Sequence, residues 1–137
     1  RRCDEVHVAL HAVHASLETP DRIVLDLDPG PGVSWPRVVA AALELRDALR
    51  AVGLTGFVKT TGGKGLHVVA PLIPSAGWDA CFAFSRSLVE AVASRSPRAY
   101  VTVMAKAERQ DRIFIDYLRN NRGATSVAAY STRARPD

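Results

Sequence analysis

The chain has 137 residues, 47% of them hydrophobic and 23% charged, with a formal net charge of +4. That length and balance suit one globular domain with a single core. No apolar run approaches the ~20 residues that a bilayer-spanning helix needs, so no membrane-spanning helix is expected within these residues.

The opening "RRCDEVH" is polar and charged and holds no apolar stretch of secretory type. With no initiator methionine, the sequence is expected to be a piece of a longer protein. Cys3 and Cys81 show neither metal nor redox spacing and read as free thiols of a reducing cytosol.

In chain order, "EVHVAL" (5–10) alternates weakly and predicts a strand. "RIVLDLD" (22–28) is a stronger one: Ile23, Leu25 and Leu27 share one face, Val24, Asp26 and Asp28 the other. "PGPG" stops it. Ser34 then suits a helix N-cap, and Pro36 fits the first turn. Val38, Ala42, Leu45, Leu49 and Val52 recur at helical spacing up to Gly53.

"GFVKT" (56–60) and "LHVVAPL" (66–72) predict strands on either side of a glycine loop. A second amphipathic helix is expected over about 78–93, with Trp78, Cys81, Phe82, Leu88, Val89 and Val92 as its apolar stripe. "TVMAKAERQ" (102–110) fits helix and loop equally. "RIFIDYL" (112–118) predicts a strand, with Ile113, Ile115 and Tyr117 on one face and Phe114, Asp116 and Leu118 on the other. The remainder is loop-like, with a short strand expected within 125–130. Hairpin-like neighbours and segregated helices predict an α+β domain over 1–137, its sheet carrying helices on one face.

Two places break strand logic. Asp26 and Asp28 lie on one face of a strand, roughly 6.6 Å apart along it. Two carboxylates at about 6 Å repel by roughly 3 kcal/mol at an effective dielectric near 20. Stability does not require that arrangement, and a divalent cation between them reverses its sign. Asp116 is a third carboxylate inside a hydrophobic strand. If the two strands are neighbours, three hard-oxygen ligands converge, a set that suits magnesium or manganese. Taken alone, Asp28 also reads as a turn residue before Pro29.

The loop "TTGGKG" (60–65) lacks the P-loop spacing. Three glycines in four positions nevertheless let backbone amides approach a ligand closely. Thr60 and Thr61 add hydroxyls, Lys64 a point charge, and His67 an imidazole from the next strand. A plain hairpin turn explains the glycines but neither Lys64 nor His67. The cations are biased too: from Arg95 onwards nine Arg/Lys stand against four Asp/Glu. Fifteen of the eighteen Lys/Arg are arginine, whose forked guanidinium grips phosphate with two donors at once. Nucleotides or nucleic acid follow as partners, although a solvated basic face would give the same count.

Together, "RIVLDLDPGPGVSW", "VKTTGGKGLHVVAPL" and "RIFIDYLRNNRGATSVAAYSTRARP" resemble the polymerase domain of bacterial ATP-dependent DNA ligase D, within the archaeo-eukaryotic primase superfamily. The resemblance implies a primase-like (RRM-like), mostly antiparallel sheet. It implies a nucleotidyltransferase that adds an NTP or dNTP to a DNA 3′-hydroxyl with two Mn2+ or Mg2+ ions, in non-homologous end joining. Asp26, Asp28 and Asp116 match the metal-binding catalytic carboxylates. Thr61, Lys64, His67, Arg109 and Arg133 match residues that hold the nucleotide. His11 matches a sugar-edge histidine loosely, because "LHAVHAS" departs from the family's His-x-Trp stretch.

The implied partners are DNA ends, ligase and nuclease domains of the same polypeptide, and the end-binding protein Ku, in a bacterial cytoplasm and nucleoid. The family domain is longer, with an N-terminal portion that carries base-stacking and 5′-phosphate contacts. This chain is therefore expected to be a fragment or minimal version. The alternative is a nucleotide- or DNA-end-binding module with the same fold and little turnover. A two-metal phosphohydrolase is weaker, because only four histidines are present and three lie within residues 7–14.

Overall fold

The computed structural model describes residues 17–131 and the backbone of His7–Ala9. β-branched residues and leucine at alternate positions make β2 (Arg22–Pro29) the central strand, with Ile23, Leu25 and Leu27 each no more than 1% exposed. It pairs antiparallel with β4 (Leu66–Pro71) on one side and β6 (Ile113–Asp116) on the other. β3 (Phe57–Thr60) is the outer neighbour of β4, and β5 (Tyr100–Val101) lies parallel to β6 at the other edge. The sheet order is β3-β4-β2-β6-β5. A separate ribbon joins β1 (His7–Ala9) to β7 (Thr125–Val127).

Helices α1 (Trp35–Ala51) and α2 (Trp78–Arg95) both cover the Leu25 face of the sheet. Val38, Ala42, Leu45 and Leu49 of α1 and Cys81, Leu88, Val89 and Val92 of α2 meet Leu66, Val68, Ile113 and Ile115 there. The domain is thus α+β, mostly antiparallel, with helices on one face.

Four local differences from the sequence expectation have physical reasons. Val52 is 50% exposed because the helix has already ended at Ala51, with Val52 as its cap. Trp78 packs with Val24 and Val69, residues of the opposite face, and donates Nε1–H to the Leu17 carbonyl. Phe82 is only half-buried and meets the Tyr117 ring at 5.4 Å. β6 stops at Asp116, and the chain enters a 3₁₀ turn over Leu118–Asn120, so Leu118 is no longer a strand residue. The ambiguous 102–110 stretch contains a 3₁₀ turn, Lys106–Arg109.

Candidate active site

The helices bury one face of the sheet, and the polar residues occupy the other. Asp26 is directly opposite Asp116 on β6 and opposite His67 on β4, and His67 is opposite Lys59 on β3. Lys59, His67, Asp26 and Asp116 therefore form one transverse row across four strands. Residues directly opposite on one face have Cβ atoms roughly 5 Å apart, so the two carboxylates are immediate neighbours. Asp28, two residues along β2, faces Phe114. The strands thus set Asp26 beside Asp116, with Asp28 two residues further along the same face of β2.

Arginines hold this acidic group at present. Arg109 reaches back from its 3₁₀ turn to the Asp28 carboxylate, and donates also to the Met104 carbonyl at 2.7 Å. Its guanidinium lies 4.3 Å over the Phe114 ring, a cation–π contact that fixes the plane of the fork. Arg119 is 3.5 Å from both Asp26 and Asp116 and bridges the pair. His67 Nε2 lies 3.4 Å from Asp26 Oδ2. His67 Nδ1, in a residue only 4% exposed, finds no hydrogen-bond partner among the described residues.

The Asp116 carboxyl titrates above the usual carboxylate range. Burial is the main cause and the neighbouring Asp26 charge adds to it, while the Leu118 N–H (2.8 Å) and the Arg119 charge pull the other way. Lys59 is pushed below its ordinary range, chiefly by burial and by the Arg22 charge, and it donates to the Val127 carbonyl at 2.6 Å.

The glycine loop forms the facing wall. Gly62 adopts a left-handed φ of 67°, and a Cβ on Gly65 would stand 1.9 Å from the Leu27 carbonyl oxygen. The loop therefore presses its backbone directly against β2 beside the aspartates, which only glycine allows. Thr61 is nearly buried, and its hydroxyl reaches the Gly65 carbonyl at 3.5 Å. Lys64 is exposed at the tip.

A cleft of about 260 Å³ opens here, lined by Asp26, Asp28, Thr61, Lys64, His67 and Arg119, among others. Whole-ligand pockets start near ~300 Å³, so this space suits a group of phosphate size more than an entire nucleotide. His11 and Arg133 lie outside the described residues.

Hard carboxylate oxygens are the donor type that a divalent cation takes. Among the described residues, however, no three His, Cys, Asp or Glu side chains stand together as a ready cation cage. Arg109 already holds Asp28, and Arg119 stands 3.5 Å from Asp26 and Asp116. Arg119 and Lys59 were not singled out in the sequence. Arg119 is visible there only as the residue three after Asp116, and Lys59 only once its pairing with His67 is known.

A family profile described as "LigD, primase-polymerase domain" matches residues 2–137. The multifunctional non-homologous end joining protein LigD of Pseudomonas aeruginosa is 46% identical over 121 residues, which cover 88% of this chain and 14% of that protein. The corresponding protein of Mycobacterium tuberculosis is 32% identical over 114 residues, covering 83% of this chain and 15% of that one. Among solved structures, the polymerase domain from Mycobacterium tuberculosis Ligase D in complex with DNA superposes with a TM-score of 0.82 at 32% identity. It covers 85% of this chain and 41% of that chain. The chain therefore spans a small part of its full-length relatives.

Proposed function

The chain belongs to the LigD primase-polymerase domain family, and on that premise we propose that it transfers a nucleotide from an NTP or dNTP to a DNA 3′-hydroxyl during double-strand break repair. The observation that carries this is the register of β2 and β6. It sets Asp26 against Asp116, with Asp28 on the same face and a phosphate-sized cleft beside them. A 3′-hydroxyl oxygen forms the new bond to the α-phosphorus, and pyrophosphate leaves.

Asp26, Asp28 and Asp116 are the residues that would hold divalent cations, Mn2+ or Mg2+. Such ions would supply a lowered hydroxyl pKa and charge neutralisation of the phosphates. For Asp28 this requires Arg109 to move from the carboxylate to a phosphate, a better partner for its planar fork. Lys64, Thr61 and the loop amides face the phosphates from the opposite wall, and His67 offers an imidazole between wall and carboxylates. His11 and Arg133 are assigned to nucleotide contact by family resemblance. The DNA ends, attached ligase and nuclease domains, and Ku are the partners this reading entails.

The test is extension of a labelled primer with and without manganese, alongside calorimetry of ATP binding. Extension lost in Asp26→Ala supports the reading. No extension by the wild-type chain, together with unchanged nucleotide binding in Asp26→Ala, would sink it. The arginine-held carboxylates favour a second reading, a nucleotide- or DNA-end-binding module of the same fold. Binding without extension at any metal or substrate would decide for it.

A further inference from the structure

β6 ends abruptly, and the way it ends determines where Arg119 lies. If its pairing with β2 continued past Asp26↔Asp116, Leu118 would face Val24. Instead the chain leaves the sheet, and Asn120 takes that place with its side chain. The Val24 N–H donates to Asn120 Oδ1 at 2.8 Å, and Asn120 Nδ2 donates to the Val24 carbonyl at 2.8 Å. Both bonds that a partner strand would exchange with Val24 are thus made by one side-chain amide, whose oxygen accepts and whose nitrogen donates as a peptide group does. The same Nδ2 also donates to the Tyr117 carbonyl at 2.9 Å, closing the turn. Asn120 is 1% exposed, so these groups have no water to replace the bonds.

We propose that Asn120 is a positioning residue: by standing in for a strand backbone it stops β6 directly after Asp116 and folds the chain back, so that Arg119 lies over the Asp26–Asp116 pair. A continuing strand would point successive side chains to opposite faces and carry residue 119 away from the aspartates. The turn instead returns Arg119 to within 3.5 Å of both carboxylates and onto the cleft wall. That Arg119 then serves a bound triphosphate rests on the nucleotidyl-transfer reading above.

The experiment has two arms. In the first, amide hydrogen exchange is followed by NMR in wild type and Asn120→Ala without ligand. The Leu118 N–H, which is held by Asp116 Oδ1, should lose protection by about tenfold or more while core amides of α2 keep theirs. Unchanged Leu118 protection overturns the proposal.

In the second, ATP affinity is measured by calorimetry in MnCl2 for wild type, Asn120→Ala, Arg119→Ala and the double variant. Asn120→Ala should weaken binding about tenfold in the wild-type background and less than about threefold once Arg119 is gone. Equal losses in both backgrounds mean that Asn120 is merely structural, which overturns the proposal. Should Asn120→Ala fail to fold, Asn120→Asp takes its place in both arms, since it keeps the acceptor for Val24 and removes the donors. If the wild type binds no ATP, the transfer reading fails, and the exchange arm still decides the role of Asn120.

Discussion

Asp116→Asn should give a protein that is inactive and more stable. The amide keeps an oxygen for the Leu118 N–H, which donates to the carboxylate at 2.8 Å, while it removes the charge and the second acceptor, which faces Arg119. Opposite side chains about 5 Å apart put the repulsion from Asp26 near 3 kcal/mol at an effective dielectric of ~20. Arg119 at 3.5 Å returns about 5 kcal/mol by the same relation. The remaining attraction is roughly 1.4 kcal/mol, and burying a carboxylate costs several.

Burial is the first cause of the raised Asp116 pKa, so the ionised form is penalised overall. Burial outweighs the remaining attraction, and for a group that solvent still reaches the net penalty is on the order of 1 kcal/mol. The variant should therefore melt roughly 4 °C higher at pH 7. The folded pKa lies above the unfolded one, so the wild type escapes this penalty only below the unfolded carboxylate range near ~4. It acquires the penalty as pH rises through the folded value. The advantage of Asn should then fade between pH 7 and pH 3. Urea melts in metal-free buffer at both pH values measure this. A variant less stable than wild type at pH 7, or one with the same gain at pH 3, would refute the reasoning.

Lys64→Ala should weaken ATP binding about tenfold in calorimetry, because a phosphate charge contact is lost. Its melting temperature should stay within a degree or two, since Lys64 is exposed. Gly65→Ala sets a methyl group 1.9 Å from the Leu27 carbonyl oxygen and should cost about 2–3 kcal/mol in urea melts, with loss of ATP binding as the loop lifts off β2. Leu49→Ala, at a fully buried position of α1, should cost about 2–5 kcal/mol. Its ATP affinity should be unchanged wherever the fold persists, because Leu49 lies on the helix-covered side of the sheet.

The amphipathic patterns that drove the sequence reading belong to residues whose periodicity is set by burial. Ile23, Leu25 and Leu27, or Val38, Ala42, Leu45 and Leu49, show one face because one face meets the core, so both elements were legible. The aspartates were legible for the opposite reason, as charges where the pattern calls for apolar residues. Adjacency was not legible. Nothing within residues 22–28 or 112–118 states that the two strands pair, nor that Asp26 rather than Asp28 faces Asp116.

β5, at two residues, is too short to show any period. Trp78 reads as a helix-stripe residue by spacing, yet it lies at the first position of α2, where the chain still has freedom to seat it against Val24. Arg119 and Asn120 were invisible as a unit, because their roles depend on a turn that replaces a strand. Such a replacement is made by side-chain hydrogen bonds, not by propensity.

The row of Lys59, His67, Asp26 and Asp116 also bears on how this chain finds its fold. Side chains alternate across a strand, so a slip of one residue in β2, β4 or β6 would turn the row inward and the leucines outward. A misaligned sheet would then drive carboxylates and an imidazole under α1 and α2, at several kcal/mol for each unpaired charge. The same residues that line the cleft thereby act as a proofreading code for strand alignment. Wherever the sheet is correctly paired, the polar row is brought to one face in the same event.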